Sequence, residues 1–156
     1  MRLLLCLVGV GTSAMAAGCG GSGAGSAAAT YIGHSRQADL TLSVAVKKPH
    51  TTAWKLSVRF TSAGAALKRR LPGGPDQRDP IMNVFCVPAP RTAKLGMVEA
   101  GIGPGDLQND VLNVPRLMNL PAPDRWICGL EGGASAAKNL RDYIARAPLS
   151  VTLRRR

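Results

Sequence analysis

The sequence predicts a β-rich α+β domain: an antiparallel sheet or β-sandwich with one helix over about 135–147 and one disulfide. Three observations predict it. Leu40, Leu42, Val44 and Val46 alternate with Thr41, Ser43 and Ala45, and Trp54, Leu56, Val58 and Phe60 alternate with Lys55, Ser57 and Arg59. A period of two is that of strands with one buried face. Ala136, Leu140, Tyr143, Ile144 and Ala147 recur instead at helical spacing, after the N-cap residue Ser135 and before the helix breaker Pro148. Cys86 and Cys128 each fall within a short apolar run of strand character.

In chain order, residues 1–18 read as a signal peptide. Met1-Arg2 is a minimal basic start, Leu3 to Val10 an apolar run, and small residues follow it. The apolar run falls short of the roughly 20 residues that a membrane-spanning helix needs. Ala14-Met15-Ala16 is a cleavage site for ordinary signal peptidase and would leave a soluble secreted protein. Ala16-Ala17-Gly18-Cys19 resembles the lipobox of bacterial lipoproteins, with Ala16 where leucine is usual. That resemblance covers the first 19 residues and implies a lipid on Cys19, so that the membrane is a partner through the N-terminal lipid.

Residues 19–36 read as a Gly/Ser/Ala tether, because the stretch Gly20 to Ser26 has the composition of flexible coil. Residues 37–156 then form one domain, a length that supports its own core. Cysteine parity agrees with the lipobox. Cys6 leaves with the leader and Cys19 is acylated, so Cys86 and Cys128 remain as an even pair in an oxidising compartment. Cleavage after Ala16 would leave an odd thiol.

Within the domain the two alternating runs predict a hairpin joined near Pro49. Leu71-Pro72-Gly73-Gly74-Pro75 breaks the chain and Asp79-Pro80 ends that loop. Ile81 to Val87 reads as a strand buried on both faces and ended by Pro88-Ala89-Pro90. Lys94 to Ile102 reads as a further strand. Asp106 as N-cap predicts a short helix to Leu112, and the prolines at 115, 121 and 123 make residues 113–124 a connection. Arg125 to Leu130 is a strand carrying Trp126 and Cys128. Leu149, Val151 and Leu153 alternate again, so the chain closes on a strand.

The net charge is +11, and Arg2 is the single charged residue before Cys19, so the domain carries nearly all of it. Such a charge directs the domain towards anionic partners. Two clusters stand out, Lys68-Arg69-Arg70 and Arg154-Arg155-Arg156. On a tethered domain each added cation near an anionic membrane contributes about 1 kcal/mol. The plainer reading of both is a solvated surface. Nucleic acid is disfavoured as a partner, because Trp54, Phe60 and Trp126 sit at core positions and leave no stacking rings between the charges.

The chemistry-bearing residues form no recognisable catalytic pattern. His34 and His50 lie apart and no C-x-x-C is present, so no zinc set is formed. Met82, Met97 and Met118 have the chemistry of copper ligands, but methionine more often fills core gaps. Glu99, Glu131, Asp106 and Asp110 are carboxylates without the pairing that acid/base work requires. Gly101 to Asp106 lacks a phosphate-loop signature. No metal or cofactor is expected. The expected function is a cell-envelope lipoprotein displaying a small basic binding or structural domain, non-enzymatic, with an anionic envelope surface or envelope protein as partner. The alternatives are a secreted or anchored hydrolase and a soluble cationic binder of acidic polymer or nucleic acid.

Overall fold

A computed structural model describes residues 29–48, 51–76, 78–89, 97–118, 123–132 and 137–156. The expected signal peptide over residues 1–18, Cys19, the glycine-rich stretch after it and His50 lie outside these residues. The described strands are β1 (Ala29–His34), β2 (Ala38–Lys48), β3 (Thr51–Phe60), β4 (Ile81–Ala89), β5 (Val98–Gly101), β6 (Leu107–Gln108), β7 (Val111–Met118), β8 (Arg125–Gly132) and β9 (Leu149–Arg155). Two short helices, α1 (Ala65–Arg69) and α2 (Leu140–Arg146), complete the fold. The strands form one antiparallel sheet in the order β5-β4-β8-β9-β1-β2-β3-β7-β6, curled until β5 comes against β7.

The curl gives the sheet an inner and an outer face, and the alternation in the sequence assigns residues to each. In β2 and β3, Leu40 opposes Val58, Leu42 opposes Leu56 and Val44 opposes Trp54, all buried inside. Val114 and Leu112 of β7 continue these rows beyond Leu56 and Val58. Trp126, Cys128 and Leu130 of β8 meet Leu153, Val151 and Leu149 of β9 across the same interior. Cys86 and Cys128 are directly opposite in the β4–β8 ladder, 4.1 Å apart at Cα, and are joined by a disulfide. The predicted strand-rich fold with one disulfide is therefore the observed one.

The outer face is solvated except over β4 and β8. There Phe85 and Val87 point away from the interior and are covered by Tyr143 of α2, with Leu140, Ile144 and Ala147 beside it. This is the expected apolar face of the late helix, and it explains why β4 is buried on both faces. Gly129 lies beneath the ring of Phe85, where a Cβ would come 2.9 Å from Phe85 Cζ and 1.9 Å from the Leu149 carbonyl oxygen.

Several local expectations are corrected. Residues 29–34, read as part of the tether, form β1 between β2 and β9. Ala29 and Tyr31 are buried while Thr30 is exposed, so their alternation continues the sheet. The helix expected over 106–112 is a tight hairpin instead. Asn109 and Asp110 adopt φ of 48° and 63°, the left-handed pair of a two-residue turn, and join β6 to β7. Asp106 accepts a hydrogen bond from the Gly103 amide at 2.6 Å, capping a turn rather than a helix.

Residues 113–118, read as connection, belong to β7, because Pro115 sits opposite Lys55 on a strand whose other neighbour, β6, pairs only with Val111 and Leu112. A proline costs no ladder bond on that open side. Pro88 likewise lies within β4, beyond the point where the β5 pairing ends at Cys86. The late helix begins at Leu140, not 135: Asn139 caps it by accepting from the Asp142 amide at 3.0 Å, and Asp142 accepts in return from the Lys138 amide at 3.0 Å. Ser135 lies outside the described residues.

Candidate functional site

Period-two geometry on β5 and β8 brings together two carboxylates that the sequence leaves unpaired. Ala100 and Leu130 point inwards, so Glu99 and Glu131 stand on the outer face, on the two strands that flank β4. Tyr143 of α2 packs edge-on to Phe85, with ring centroids 5.2 Å apart, and its hydroxyl reaches both acids. It donates to Glu99 Oε1 at 2.6 Å and also contacts Glu131 Oε2. Glu131 is the one buried charged residue among the described residues. Burial, and then the hydrogen bonds to Glu131 and Glu99, push the Tyr143 hydroxyl well above its ordinary value of 10.0. Tyr143 therefore remains a proton donor at neutral pH. Its oxygen occupies the space between the two acids, where an acid/base pair would need its substrate.

Beside this triad a cleft of about 510 Å³ opens between α2, the start of β4, the end of β8 and the loop before β4. Glu131 and Tyr143 belong to its lining, Met82 is exposed on its rim, and Arg70, Arg78 and Arg146 supply three guanidinium groups. Arg70 is held by its own loop: Nε and Nη2 donate to the Asp79 carbonyl at 3.1 and 2.9 Å. A backbone carbonyl fixes that side chain without neutralising it. Arg146 pairs through Nε with Asp142 at 2.7 Å, one helical turn earlier. The Lys138 amide and then Arg146 hold the Asp142 carboxyl below its ordinary value of 3.8. Arg78 has no ion-pair partner among the described residues. Arg70 and Arg78 also line a second depression of about 250 Å³ with Asp76 and Asp79.

The two basic clusters are separated. Lys68 pairs with Asp110 of the β6–β7 turn, and Arg69 lies 3.7 Å from Asp76. The Arg70 carbonyl accepts from the Ile81 amide, and Ile81 is opposite Gly132 at the end of β8. Arg154 is opposite Arg125, at the beginning of β8. The length of β8 thus stands between the clusters, about 24 Å at strand rise. The C-terminal arginines are ordered by the sheet: Arg154 and Arg155 continue β9 beside β1, and the Arg156 amide donates to the Thr30 carbonyl at 2.9 Å. Arg125, Arg154, Arg155 and Arg156 are all exposed at this one end.

The other residues considered from sequence do not converge. His34 is exposed and pairs with Asp39 at 2.9 Å. Met97 packs against the cluster of Phe85 and Tyr143, away from the rim position of Met82, and the Met118 side chain lies outside the described set. No group of three or more His, Cys, Asp or Glu close enough to hold a metal occurs among the described residues. No helix among them is long and apolar enough to cross a membrane. Trp54 and Trp126 are core residues, and Phe60 packs against that core. Sequence reasoning missed Glu99 with Glu131, Tyr143 as a polar residue, and Arg78 with Arg146. The parity of β5 and β8 held the signal for the acids, but nothing in the spacing announces that α2 lies over both strands. No family model, curated protein or solved structure matches the chain.

Proposed function

We propose that this chain is a cell-envelope lipoprotein that displays a small non-enzymatic binding domain, with its arginine-bearing end turned towards an anionic membrane surface. Cys19 carries the lipid, and the segment after it links the anchor to the sheet. The observation that supports this reading is the hydrogen bond from the Arg156 amide to the Thr30 carbonyl. It sets the C-terminal arginines beside Ala29, where β1 begins. From Cys19 to Ala29, a coil of this Gly/Ser/Ala composition would span roughly 17–20 Å, so the chain-entry end would stay close to the bilayer. Four arginines in that layer contribute on the order of 4 kcal/mol at an anionic surface and much less in high salt. The Lys68-Arg69-Arg70 cluster, at the far end and engaged with Asp110, Asp76 and the Asp79 carbonyl, takes no part in this contact.

Trypsin tests the orientation, because it cuts after Arg154 and Arg155. The mature protein is to be reconstituted into vesicles of phosphatidylcholine alone and into vesicles containing phosphatidylglycerol. Slower C-terminal cleavage on the anionic vesicles, reversed by salt, is the expected result. Equal cleavage on both would overturn the orientation.

A further inference from the structure

We infer that the cleft between α2 and the loop before β4 is a binding site for a polyol or sugar phosphate, with the phosphate held by Arg70, Arg78 and Arg146 and a hydroxyl received by Glu131. The lining has two kinds of group that ask for different partners. Three guanidinium groups border one space of about 510 Å³. A single carboxylate is satisfied by one bidentate arginine, whereas a phosphate ester presents two (diester) or three (monoester) non-bridging oxygens around a tetrahedral centre and takes more than one fork at once. Arg70 is already oriented by the Asp79 carbonyl, which leaves its charge intact and its remaining donors pre-set. Arg78, exposed and without an ion-pair partner among the described residues, completes the approach from the loop side.

The acids then select what the phosphate is attached to. Glu131 receives the Tyr143 hydroxyl on Oε2, and Oε1 has no hydrogen-bond partner among the described residues. Asp79 also lines the cleft. Carboxylates beside an anion site repel a bare dianion but accept hydrogen bonds from hydroxyl groups. A ligand carrying phosphate at one end and hydroxyls at the other matches both halves. The volume lies in the range of small-ligand pockets and exceeds what inorganic phosphate fills. The same chemistry occurs in a free phosphomonoester and in the phosphodiester units of an acidic wall polymer. The site lies at the sheet end opposite Arg154, Arg155 and Arg156, so it does not depend on the anchor or on the membrane contact.

Calorimetric titration of the mature protein in a neutral detergent tests the inference with four probes: glycerol 3-phosphate, glycerophosphoglycerol, inorganic phosphate and glycerol. Binding of at least one of the two esters, more tightly than inorganic phosphate and with no response to glycerol, is expected. The tighter ester identifies the source as monoester or polymer unit. Arg78→Gln and Arg146→Gln should each weaken that binding about tenfold or more, the scale of one charge-assisted hydrogen bond. Arg156→Gln, at the other end, should leave it unchanged. Arg78 is on the surface, so its substitution leaves the fold intact and keeps the result interpretable. No heat from either ester at millimolar concentration would overturn the inference. So would an affinity that Arg78→Gln leaves intact, or one that Arg156→Gln lowers equally. None of these results bears on Cys19, whose acylation is read separately by mass.

Discussion

Tyr143 has one proton and two carboxylate acceptors within reach, which makes it the residue on which the outer face of β4, β5 and β8 depends. Replacing it with Phe keeps the ring against Phe85 and leaves the buried Glu131 without its donor. The expected cost is about 1–3 kcal/mol in urea denaturation, the desolvation penalty of an unsatisfied buried group. Because folding raises the Tyr143 hydroxyl above 10.0, its contribution is complete below that pH and is lost as pH climbs beyond it. Tyr143→Phe should therefore flatten the alkaline limb of the stability profile. Asp142 has the opposite sign: its carboxyl is depressed, so its contribution exists above the ordinary value of 3.8 and disappears as pH falls through and below it. Amide exchange in α2 should quicken there, and Asp142→Asn should remove that acid dependence. At the β6–β7 turn two small terms compete. Asp110 pairs with Lys68 on the surface, worth at most about 1 kcal/mol. It also holds a left-handed φ of 63°, which costs an L-residue roughly 1–2 kcal/mol. Asp110→Gly should accordingly raise stability slightly.

Among the elements, those with a strict period were legible and those defined by tertiary context were not. The β2–β3 hairpin follows directly from Leu40 to Phe60, and β4, β8 and β9 from their apolar runs. The apolar face of α2 was readable at Tyr143 and Ile144, but its start was not, since Asn139 and Ser135 are equally good caps by type. The 106–112 stretch misled because Asp106, Leu107 and Val111 suit a helix as well as two strand ends. What decides the matter is Asn109-Asp110, whose left-handed turn lets Leu112 reach the row of Val58. β1 was hidden by its small residues Ala29, Thr30 and Gly33, which match the composition of the segment before it. In the candidate site the arginines come from segments far apart in sequence: Arg70 and Arg78 flank one loop and Arg146 ends α2. No spacing rule encodes that meeting. The disulfide adds a covalent tie between β4 and β8. It closes a separation of 42 residues, and the chain-entropy relation gives about 4 kcal/mol. Reduction should lower Tm on the order of 15 °C for a domain of this size.

For the whole molecule, the curled sheet separates two kinds of surface. One end carries Arg125 and the C-terminal arginines beside the start of β1, and the other carries the cleft lined by Glu131, Tyr143, Arg70, Arg78 and Arg146. Under the proposed anchoring at Cys19, the first end faces the membrane and the second is held away from it. The proposed orientation depends on Cys19, since it has meaning only if the chain is anchored there. The direct test is the intact mass of the protein recovered from an expressing bacterium, with Cys19→Ser alongside. A mass that begins at Cys19 and carries a diacylglycerol-type lipid, lost in the variant, is the predicted result. An unmodified mass beginning near Ala17 would contradict it and make the domain a soluble secreted protein.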